Sequence, residues 1–281
     1  MSQEINQIVD DWVASPPTVY MQLKEAVDDP ESSFKDFGRL INSDPGIAAR
    51  LLKIVNSPFY GFEAKVETVE HALTIVGLNQ LTDLVLATSV VNQFKDIPRE
   101  FITMDSFWEH SVACGLGAKI LAGHLRLGER ERFYMAGMLH DVGSLSIYKK
   151  APEKARKILA LSREKHIYLY QAEEEIMGFT HADVGAALLK AWNLPPRLLE
   201  IIAFHHRPLA ARNHSKDAAV VQMADTLSYE AKLGSSGETL IPKRDPEVMD
   251  LLGISKNTLP SVEEELQAAF HETIEIFSSP N

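Results

Sequence analysis

Cysteine and long hydrophobic runs are nearly absent from this sequence. Cys114 is the single cysteine among 281 residues, which excludes an intramolecular disulfide and a Cys-rich zinc site. Polar residues interrupt the apolar runs well before the length of about 18 that a transmembrane helix requires. The N-terminal sequence MSQEINQIVDDWVAS lacks the positive start and apolar core of a signal peptide. We therefore expect a cytoplasmic protein with no membrane partner.

Positively charged residues are also fewer than negatively charged ones. The chain has 28 Lys and Arg residues against 39 Asp and Glu residues, and its formal net charge is −11. A broad nucleic-acid interface requires a basic face, so we expect no nucleic-acid partner. Apolar residues make up 45% of the chain, and this length suffices for one large globular domain or two small ones.

Strand signals are scarce as well, and the pattern predicts an all-α protein. Apolar residues recur at spacings of three and four almost throughout, which is typical of helices. In DPGIAARLLKIVNSPFYG, Asp44 is predicted as an N-cap and Pro45 as the first helical residue. The stretch NSPFYG is predicted to end that helix, because Pro58 disfavours helix in the residue before it.

Several helix boundaries are predicted in the second half of the chain. A long helix over 105–127 is expected to end at Gly128, a residue suited to the C-terminal cap. A second helix over 129–140 follows. Thr180 and Asp183 form a capping-box pattern, with Asp in place of the usual Glu.

The remaining boundaries concern domain organisation. A mild break in the helical pattern near residue 98, at DIPRE, could divide the chain into two helical lobes. Alternatively, the two lobes share one hydrophobic core, and both interpretations stay open. Residues 234–248 form the clearest predicted loop, rich in Gly, Ser and Pro. A final helix is predicted at about 261–277.

Histidine and aspartate residues supply a candidate metal site. Imidazole and carboxylate ligands suit Zn, Fe, Mn or Ni, and oxygen-rich sets favour Mn or Mg. Asp225 follows apolar residues on a predicted helix, and a buried carboxylate needs a partner such as a metal ion. Adjacent helical residues diverge by about 100°, so His205 and His206 are not expected to serve one ion together. The candidate ligands are His110, His140, Asp141, His181, His205, His206 and Asp225.

Each candidate ligand also has an ordinary structural reading. A histidine near an apolar helix face is more often a hydrogen-bonded core residue than a metal ligand. Asp225 could cap a neighbouring helix or pair with an arginine. His205 and His206 could be a pair at a helix C-terminus, favoured there by the helix dipole.

His110, His140, Asp141 and Asp225 resemble, in order, the H…HD…D pattern of the HD superfamily of metal-dependent phosphohydrolases. More specifically, the chain resembles the HDOD family over residues 14–230. The stretches that carry this resemblance are PPTVYMQLKEAVDDPESSFKDFGRLINSDPGIAARLLKIVNSPFYG, VEHALTIVGLNQLTDLVLATSV, FWEHSVACGLGAKILA, AGMLHDVGSLSIY and THADVGAALLKAWNLPPRLLEIIAFHHRP.

The resemblance implies a fold and a division of the chain. The implied fold is the HD-superfamily helical fold, with an N-terminal helical lobe (14–98) packed on an HD-like helical lobe (99–230). Residues 1–13 would be an N-terminal segment, and residues 231–281 a C-terminal loop and helical extension.

The related HD-GYP family of cyclic-di-GMP phosphodiesterases has a later His and a His-His pair among its ligands, which His181, His205 and His206 resemble. The resemblance implies one or two divalent ions, or none, with Asp141 bridging two. His110, His140 and Asp225 would lie on one side, and His181 with a member of the His-His pair on the other.

Three departures from the HD-GYP pattern bear on catalysis. Ser144 stands where those enzymes have Lys, and Ser106 stands where they have Glu. The stretch RPLAARN follows the His-His pair in place of Glu and the GYP motif. Phosphodiester hydrolysis needs positive charge against the developing oxyanion, and the missing lysine removes one such charge. Arg207 or Lys149 could substitute for it.

Three functions are therefore open. HDOD proteins are generally regarded as regulators without established catalysis, so the first is a non-catalytic bacterial signal-transduction module that binds a protein partner. Its site would hold a metal, a small ligand such as a nucleotide or phosphate, or nothing. We recognise no receiver or output domain in these 281 residues, so we expect such a module to act alone. The second is a metal-dependent phosphohydrolase or phosphodiesterase with Asp141 as a catalytic residue, acting on a nucleotide or cyclic dinucleotide. The third is a helical scaffold whose histidines only form hydrogen bonds.

Overall fold

The computed structural model describes residues 3–9, 17–56, 60, 62, 64–94, 97–254 and 258–278. All regular structure in these ranges is helical, which confirms the all-α prediction. In chain order the helices are α1 (Gln3–Ile8), α2 (Thr18–Asp28), α3 (Phe34–Asn42), α4 (Pro45–Val55), α5 (Val69–Val76), α6 (Leu78–Gln93), α7 (Met104–His124), α8 (Arg130–Leu139), α9 (Val142–Lys150), α10 (Pro152–Lys165), α11 (Leu169–Met177), α12 (His181–Ala191), α13 (Pro196–Phe204), α14 (Ser215–Glu230), α15 (Pro246–Leu252) and α16 (Leu259–Ser278).

The contacts divide the chain into two compact units. Unit 1 comprises Met1–Ser15 and Asp96–Gln267, and unit 2 comprises Pro16–Lys95 and Ala268–Asn281. The three-part division expected from the resemblance stays a prediction. The contact-based units differ from it at both ends. At the N-terminal end, α1 packs against α9 and α12 within unit 1, where Ile5 and Ile8 are buried. At the C-terminal end, Ala268–Asn281 groups with unit 2.

Unit 2 is built around short amphipathic helices. Asp44 is the predicted N-cap of α4, and its Oδ1 accepts hydrogen bonds from the backbone N–H groups of Gly46 (2.9 Å) and Ile47 (3.1 Å). Pro45 is the first helical residue, as predicted. The core of unit 2 includes fully enclosed apolar side chains such as Leu23 and Leu51. The predicted turn NSPFYG falls largely on residues outside the described ranges.

Unit 1 has two central helices, α7 and α14, which pack against each other and against α8. Glycines allow this close approach: a Cβ on Gly137 of α8 would lie 2.6 Å from the backbone oxygen of Cys114, and one on Gly117 of α7 would lie 3.3 Å from the Cβ of Ala224. Helices buried on all sides in this way can present polar side chains to an enclosed site.

Two predicted boundaries require correction. The long helix α7 ends at His124, and Gly128 does not cap it. The chain turns at Arg126, which has a left-handed φ of 54°, and the N–H of Leu127 closes the turn on the carbonyl of Ala122 at 2.9 Å. The loop predicted over 234–248 ends earlier, because Asp245 caps α15 through its side chain and Pro246 begins that helix.

Other boundaries agree with the sequence. The Thr180–Asp183 capping box at the start of α12 is present, with the Thr180 N–H donating to Asp183 Oδ2 at 2.8 Å. The final helix, α16, begins two residues before the predicted start.

Among the described residues no single helix has the length and hydropathy to cross a membrane; the bent pair Val69–Val76 and Leu78–Val90, with 119° between them, meets that test by length and composition only.

Candidate metal centre

Unit 1 brings all seven predicted ligand residues together at helix ends and buried helix faces. His110 comes from the middle of α7, and Asp225 from the buried face of α14. His140 is the C-cap residue of α8 and Asp141 is the N-cap residue of α9. The remaining three are His181, the first residue of α12, and His205 and His206, which directly follow α13. We call these seven residues the His/Asp cluster.

Asp141 occupies a special place in the backbone. It is the N-cap of α9, with φ −101° and ψ 9°, yet its side chain forms no capping hydrogen bond. Its backbone oxygen instead accepts from the N–H of Ser144 at 2.9 Å. The carboxylate is therefore directed to the histidines of the cluster.

The two oxygens of Asp141 face two different groups of ligand atoms. Oδ2 lies 3.1 Å from His140 Nε2 and 3.7 Å from His110 Nε2. Oδ1 lies 3.0 Å from His181 Nε2 and 3.5 Å from His205 Nε2. Asp225 faces the first group, with its Oδ1 3.1 Å from His110 Nε2 and 3.6 Å from His140 Nε2.

Two sets of ligand atoms each lie within 4.8 Å of one another. The first set is His110, His140 and Asp225; the second is Asp141, His181, His205 and His206. Helix geometry predicts that His205 and His206 do not serve one ion together, yet the structure places ligand atoms of both in the second set, with ring centroids 3.9 Å apart.

The buried polar atoms of the cluster fit a divalent cation. The Nε2 atoms of His110, His140 and His205 are enclosed, and so are Asp141 Oδ1 and Asp225 Oδ1. None of these atoms has a hydrogen-bond partner among the residues that the structure describes. Leaving several buried polar groups unpaired is costly. Imidazole nitrogens and carboxylate oxygens are the donors that Zn, Fe, Mn and Ni accept.

The backbone and a carboxylate fix the orientation of the imidazoles. His140 Nδ1 donates to the carbonyl of Gly137 and His205 Nδ1 to that of Ile202, both at 2.7 Å. Each ring thus points its Nε2 into the cluster. A histidine metal ligand commonly has its second ring N–H held in this way.

Glu173, which the sequence analysis did not single out, holds His181. Its Oε2 accepts hydrogen bonds from the backbone N–H and from Nδ1 of His181, both at 2.7 Å. Glu173 is buried on α11, and it lies on the same face as Leu169 and Met177, four residues before and after it. An acidic residue in phase with an apolar helix face is the sequence signal that could have identified it.

The electrostatics of the cluster favour ionised carboxylates. Burial alone would raise the pKa of Asp141, but His140 and His181 hold it well below its usual range. Burial would likewise raise the pKa of Asp225, but the adjacent imidazoles of His110 and His140 hold it low. Burial lowers the pKa of His205 and of His206, which favours the neutral form in which imidazole binds metals.

The structure also shows the surroundings of Ser144, which stands where the HD-GYP enzymes have lysine, and of the two residues that could replace that lysine. Ser144 lies fully buried on α9, and its Oγ has no hydrogen-bond partner. Arg207 does not take the place of the missing lysine, because it pairs with Glu174 and its guanidinium lies 5.7 Å from the ring centroid of Tyr170. Lys149 is half-buried near the end of α9.

A cavity of about 370 Å³ adjoins the cluster. Asp141, His181, His206 and Asp225 line it on the cluster side. Tyr168, the residue before α11, and Tyr170, within α11, also line it. Residues 242–246 line it from the loop that leads into α15. We call it the Tyr168 cavity. Its volume lies in the range of small-molecule sites.

These features define a helical, HD-like module with a buried His/Asp cluster. A family model of the HDOD domain matches residues 13–208, and the chain belongs to the HDOD family. An uncharacterized protein of Treponema pallidum (strain Nichols) is 27% identical over 208 residues, which cover 73% of this chain. The match covers only 40% of that relative.

Two solved structures share the fold. A candidate phosphohydrolase of Shewanella amazonensis SB2B is similar with a TM-score of 0.75 and 25% identity, over 99% of each chain. An HDOD domain protein of unknown function from Geobacter sulfurreducens has a TM-score of 0.76 and 23% identity, over 94% of this chain and 93% of that one.

Proposed function

We propose that this chain is a regulatory HDOD module that binds two divalent metal ions and does not turn over phosphodiesters. The observation that carries the metal-binding part is the convergence of unpaired, buried nitrogen and oxygen atoms in the His/Asp cluster. His110, His140 and Asp225 would hold one ion. His181, His205 and His206 would hold the second, with Asp141 shared between them.

A pair of divalent ions supplies Lewis acidity toward a phosphoryl oxygen and lowers the pKa of a bound water. The chain's own residues orient the ligand imidazoles, through Gly137, Ile202 and Glu173. They also exclude water, because six of the seven cluster residues are buried and His206 is half-buried.

The non-catalytic part rests on the charges around the cluster. In the described ranges neither Asp141 nor Asp225 has a lysine or arginine partner; their ion-pair contacts are all with histidines. Ser144 lies in the core and supplies no charge. A developing oxyanion would therefore lack the side-chain cation that phosphoryl-transfer sites usually provide.

The regulatory part is supported by membership in the HDOD family. A signalling module needs two states, differing in bound metal or ligand, that a partner protein binds with different affinity. Metal occupancy and the ligand in the adjoining cavity supply such states, and a protein partner would receive the output.

A combined metal and turnover measurement tests this function. The protein is purified without chelators, its metal content is measured by mass spectrometry, and it is assayed with bis-p-nitrophenyl phosphate and cyclic dinucleotides in added Mn²⁺. We expect close to two ions per chain and no turnover. If the purified protein retains none of the divalent ions that are added to it, the metal site is contradicted.

The second candidate is a metal-dependent phosphohydrolase. It is favoured by the position of Asp141, whose two oxygens face both ligand groups, and by the open cavity beside it. Two ions sharing a carboxylate are a recurrent arrangement in phosphoryl transfer. Turnover that is lost in both His140→Ala and Asp141→Ala would establish this candidate and overturn the non-catalytic one.

A further inference from the structure

The Tyr168 cavity has one polar end and one flat, apolar wall. At the polar end lie Asp141 and Asp225, each with an enclosed oxygen that has no hydrogen-bond partner. At the other end the chain after α14 returns over the site and contributes Pro242, Lys243 and Pro246. A molecule in the cavity would touch the His/Asp cluster with one end and the loop with the other.

The flat wall is a stack of three rings. Tyr168 and Tyr170 stack with centroids 5.9 Å apart and an interplanar angle of 10°. Tyr170 stacks in turn on His206, at 4.5 Å and 16°. The stack runs from the loop to the cluster, so a planar ligand group could lie against aromatic rings while its other end reaches the cluster.

The charges of the cavity make anion binding depend on metal. Four carboxylates line it: Asp141, Asp225, Glu238 and Asp245. Arg244 does not offset them, because Glu230 binds its guanidinium through both carboxylate oxygens and Glu263 accepts a further bond at 2.5 Å. The cavity is thus anionic by itself and becomes attractive to an anion only when cations occupy the cluster.

Besides Arg244, Lys243 is the lysine or arginine of the cavity lining. It is exposed, it lies next to Arg244, and within the part of the chain that the structure describes it has no ion pair. Its backbone N–H donates to the hydroxyl of Tyr168 at 3.3 Å. This bond and the Arg244 pairs hold the lysine at the mouth of the cavity.

Other side chains stabilise the loop that carries these residues. The Tyr229 hydroxyl contacts Ser236 Oγ at 2.8 Å, and the Tyr148 hydroxyl donates to the carbonyl of Ser236 at 2.8 Å. Glu238 accepts from the N–H of Leu169 at 2.6 Å. Burial raises the pKa of Glu238. The loop is therefore anchored on both sides of the cavity in this structure.

We infer that the Tyr168 cavity binds a small aromatic phosphate monoester, of the size of a nucleoside monophosphate, with its phosphate toward the metal-loaded His/Asp cluster and its planar group against Tyr168 and Tyr170. This inference rests on the metal binding proposed above. The volume of about 370 Å³ suits one such unit, and phosphate suits a site with two divalent ions because its oxygens can contact both.

Calorimetric titration tests the inference with adenosine 5′-monophosphate, inorganic phosphate and adenosine as probes. Each is titrated into the full chain loaded with Mn²⁺ and into the chelator-treated chain. We expect the monophosphate to bind the loaded chain at least about tenfold more tightly than either fragment, since both ends of the cavity contribute. We expect no monophosphate binding without metal.

Two variants locate the binding. Lys243→Gln removes a cation at the mouth of the cavity, at the end away from the phosphate, so it should weaken monophosphate binding by no more than about threefold and leave the metal content unchanged. Tyr168→Leu should reduce the preference for the monophosphate over inorganic phosphate. Lys157→Gln, at an exposed lysine of α10 outside the cavity lining, is the matched control and should bind like the unaltered chain.

The outcomes separate the two proposals. Failure to bind Mn²⁺ would overturn the proposed function itself. Normal metal content with monophosphate binding no tighter than that of inorganic phosphate would overturn the cavity assignment alone. A cyclic dinucleotide is titrated as a fourth probe under the same conditions, and tighter binding of it than of the monophosphate would overturn the assignment of a single-nucleotide-sized ligand.

Discussion

Glu173 Oε2 accepts two hydrogen bonds from His181, one from its backbone N–H and one from its ring Nδ1, both at 2.7 Å. The first bond fixes the start of α12, and the second orients the ring so that Nε2 faces Asp141 and His206. Burial would lower the pKa of His181, but Glu173 and Asp141 raise it to about 10. One buried carboxylate thus links the helix terminus to the geometry of the candidate metal centre.

Glu173→Gln should weaken metal binding at the group that contains His181. The amide retains the shape and one acceptor, but it removes the negative charge that makes the imidazole a stronger donor. Loss of such a supporting partner typically lowers metal affinity about 10- to 100-fold. Competition titrations with a chromogenic chelator measure the affinity of each ion.

The control for this variant is Glu175→Gln on the same helix. Glu175 is exposed and pairs with Lys165 at 2.6 Å, so its loss should leave both metal affinities unchanged. Equal affinities for Glu173→Gln and the unaltered chain would show that Glu173 serves only to hold α12.

Metal stoichiometry tests the shared position of Asp141. His110→Ala removes a ligand from the first group only, and we expect it to reduce the content from two ions to one. Asp141→Asn affects both groups, because its two oxygens face His140 and His181 respectively, so we expect little metal to remain. Mass spectrometry of the purified variants gives the content.

Circular dichroism must accompany these measurements, because a buried histidine also packs. Asp183→Asn alters the partner of Thr180 beside the cluster without changing a ligand, and it is the reference for local disturbance. One ion remaining in both His110→Ala and Asp141→Asn would contradict a shared carboxylate.

Residue type and local capping made much of the site predictable, and tertiary contacts explain the rest. Thr180 and Asp183 place His181 in the first turn of a helix by a local rule. Glu173 was missed because three consecutive glutamates stand in α11, and only packing against α12 decides which one is buried. The Tyr168 cavity was missed for a similar reason, since residues 168–170 and 242–246 are far apart in sequence and meet only in the fold.

The approach of α9 to α12 depends on two glycines. An added Cβ on Gly143 would overlap the backbone oxygen of His181 and lie 2.6 Å from the backbone N of Gly185. Gly143→Ala should therefore push the two helices apart, destabilise the chain by on the order of 3 kcal/mol and displace His181 from Asp141.

Urea denaturation measures this loss of stability, and a parallel chelator competition measures the metal affinity. Gly178→Ala tests whether any glycine substitution has the same effect, because a Cβ there meets nothing within 4 Å although its φ is 76°. It should reduce stability by about 1 kcal/mol through backbone strain and preserve the metal site. Unchanged metal affinity in Gly143→Ala would show that the helix contact does not position His181.

Asp83 gives unit 2 a pH-dependent stability that is independent of the metal centre. Burial on α6 raises its pKa to about 7, and the nearby Tyr20 has a pKa raised to about 12 by its own burial and by Asp83. A raised folded-state pKa means that the contribution of Asp83 is fully present below its ordinary value of 3.8. It is lost as the pH rises through about 7, because the carboxylate must then ionise where water is largely excluded.

Asp83→Asn keeps this position neutral at every pH and should therefore stabilise unit 2 more at pH 8 than at pH 5. The pKa shift corresponds to a difference of about 2–3 kcal/mol between these two pH values. Urea titrations read by hydrogen exchange of α2 and α6 measure it within the intact chain. Asp28→Asn, at an exposed aspartate of α2, should show no comparable pH dependence.

The same Asp83→Asn change should lower the pKa of Tyr20, since a negative charge beside the phenol disappears. An equal stability gain at both pH values would mean that Asp83 is ionised in the folded chain throughout this range.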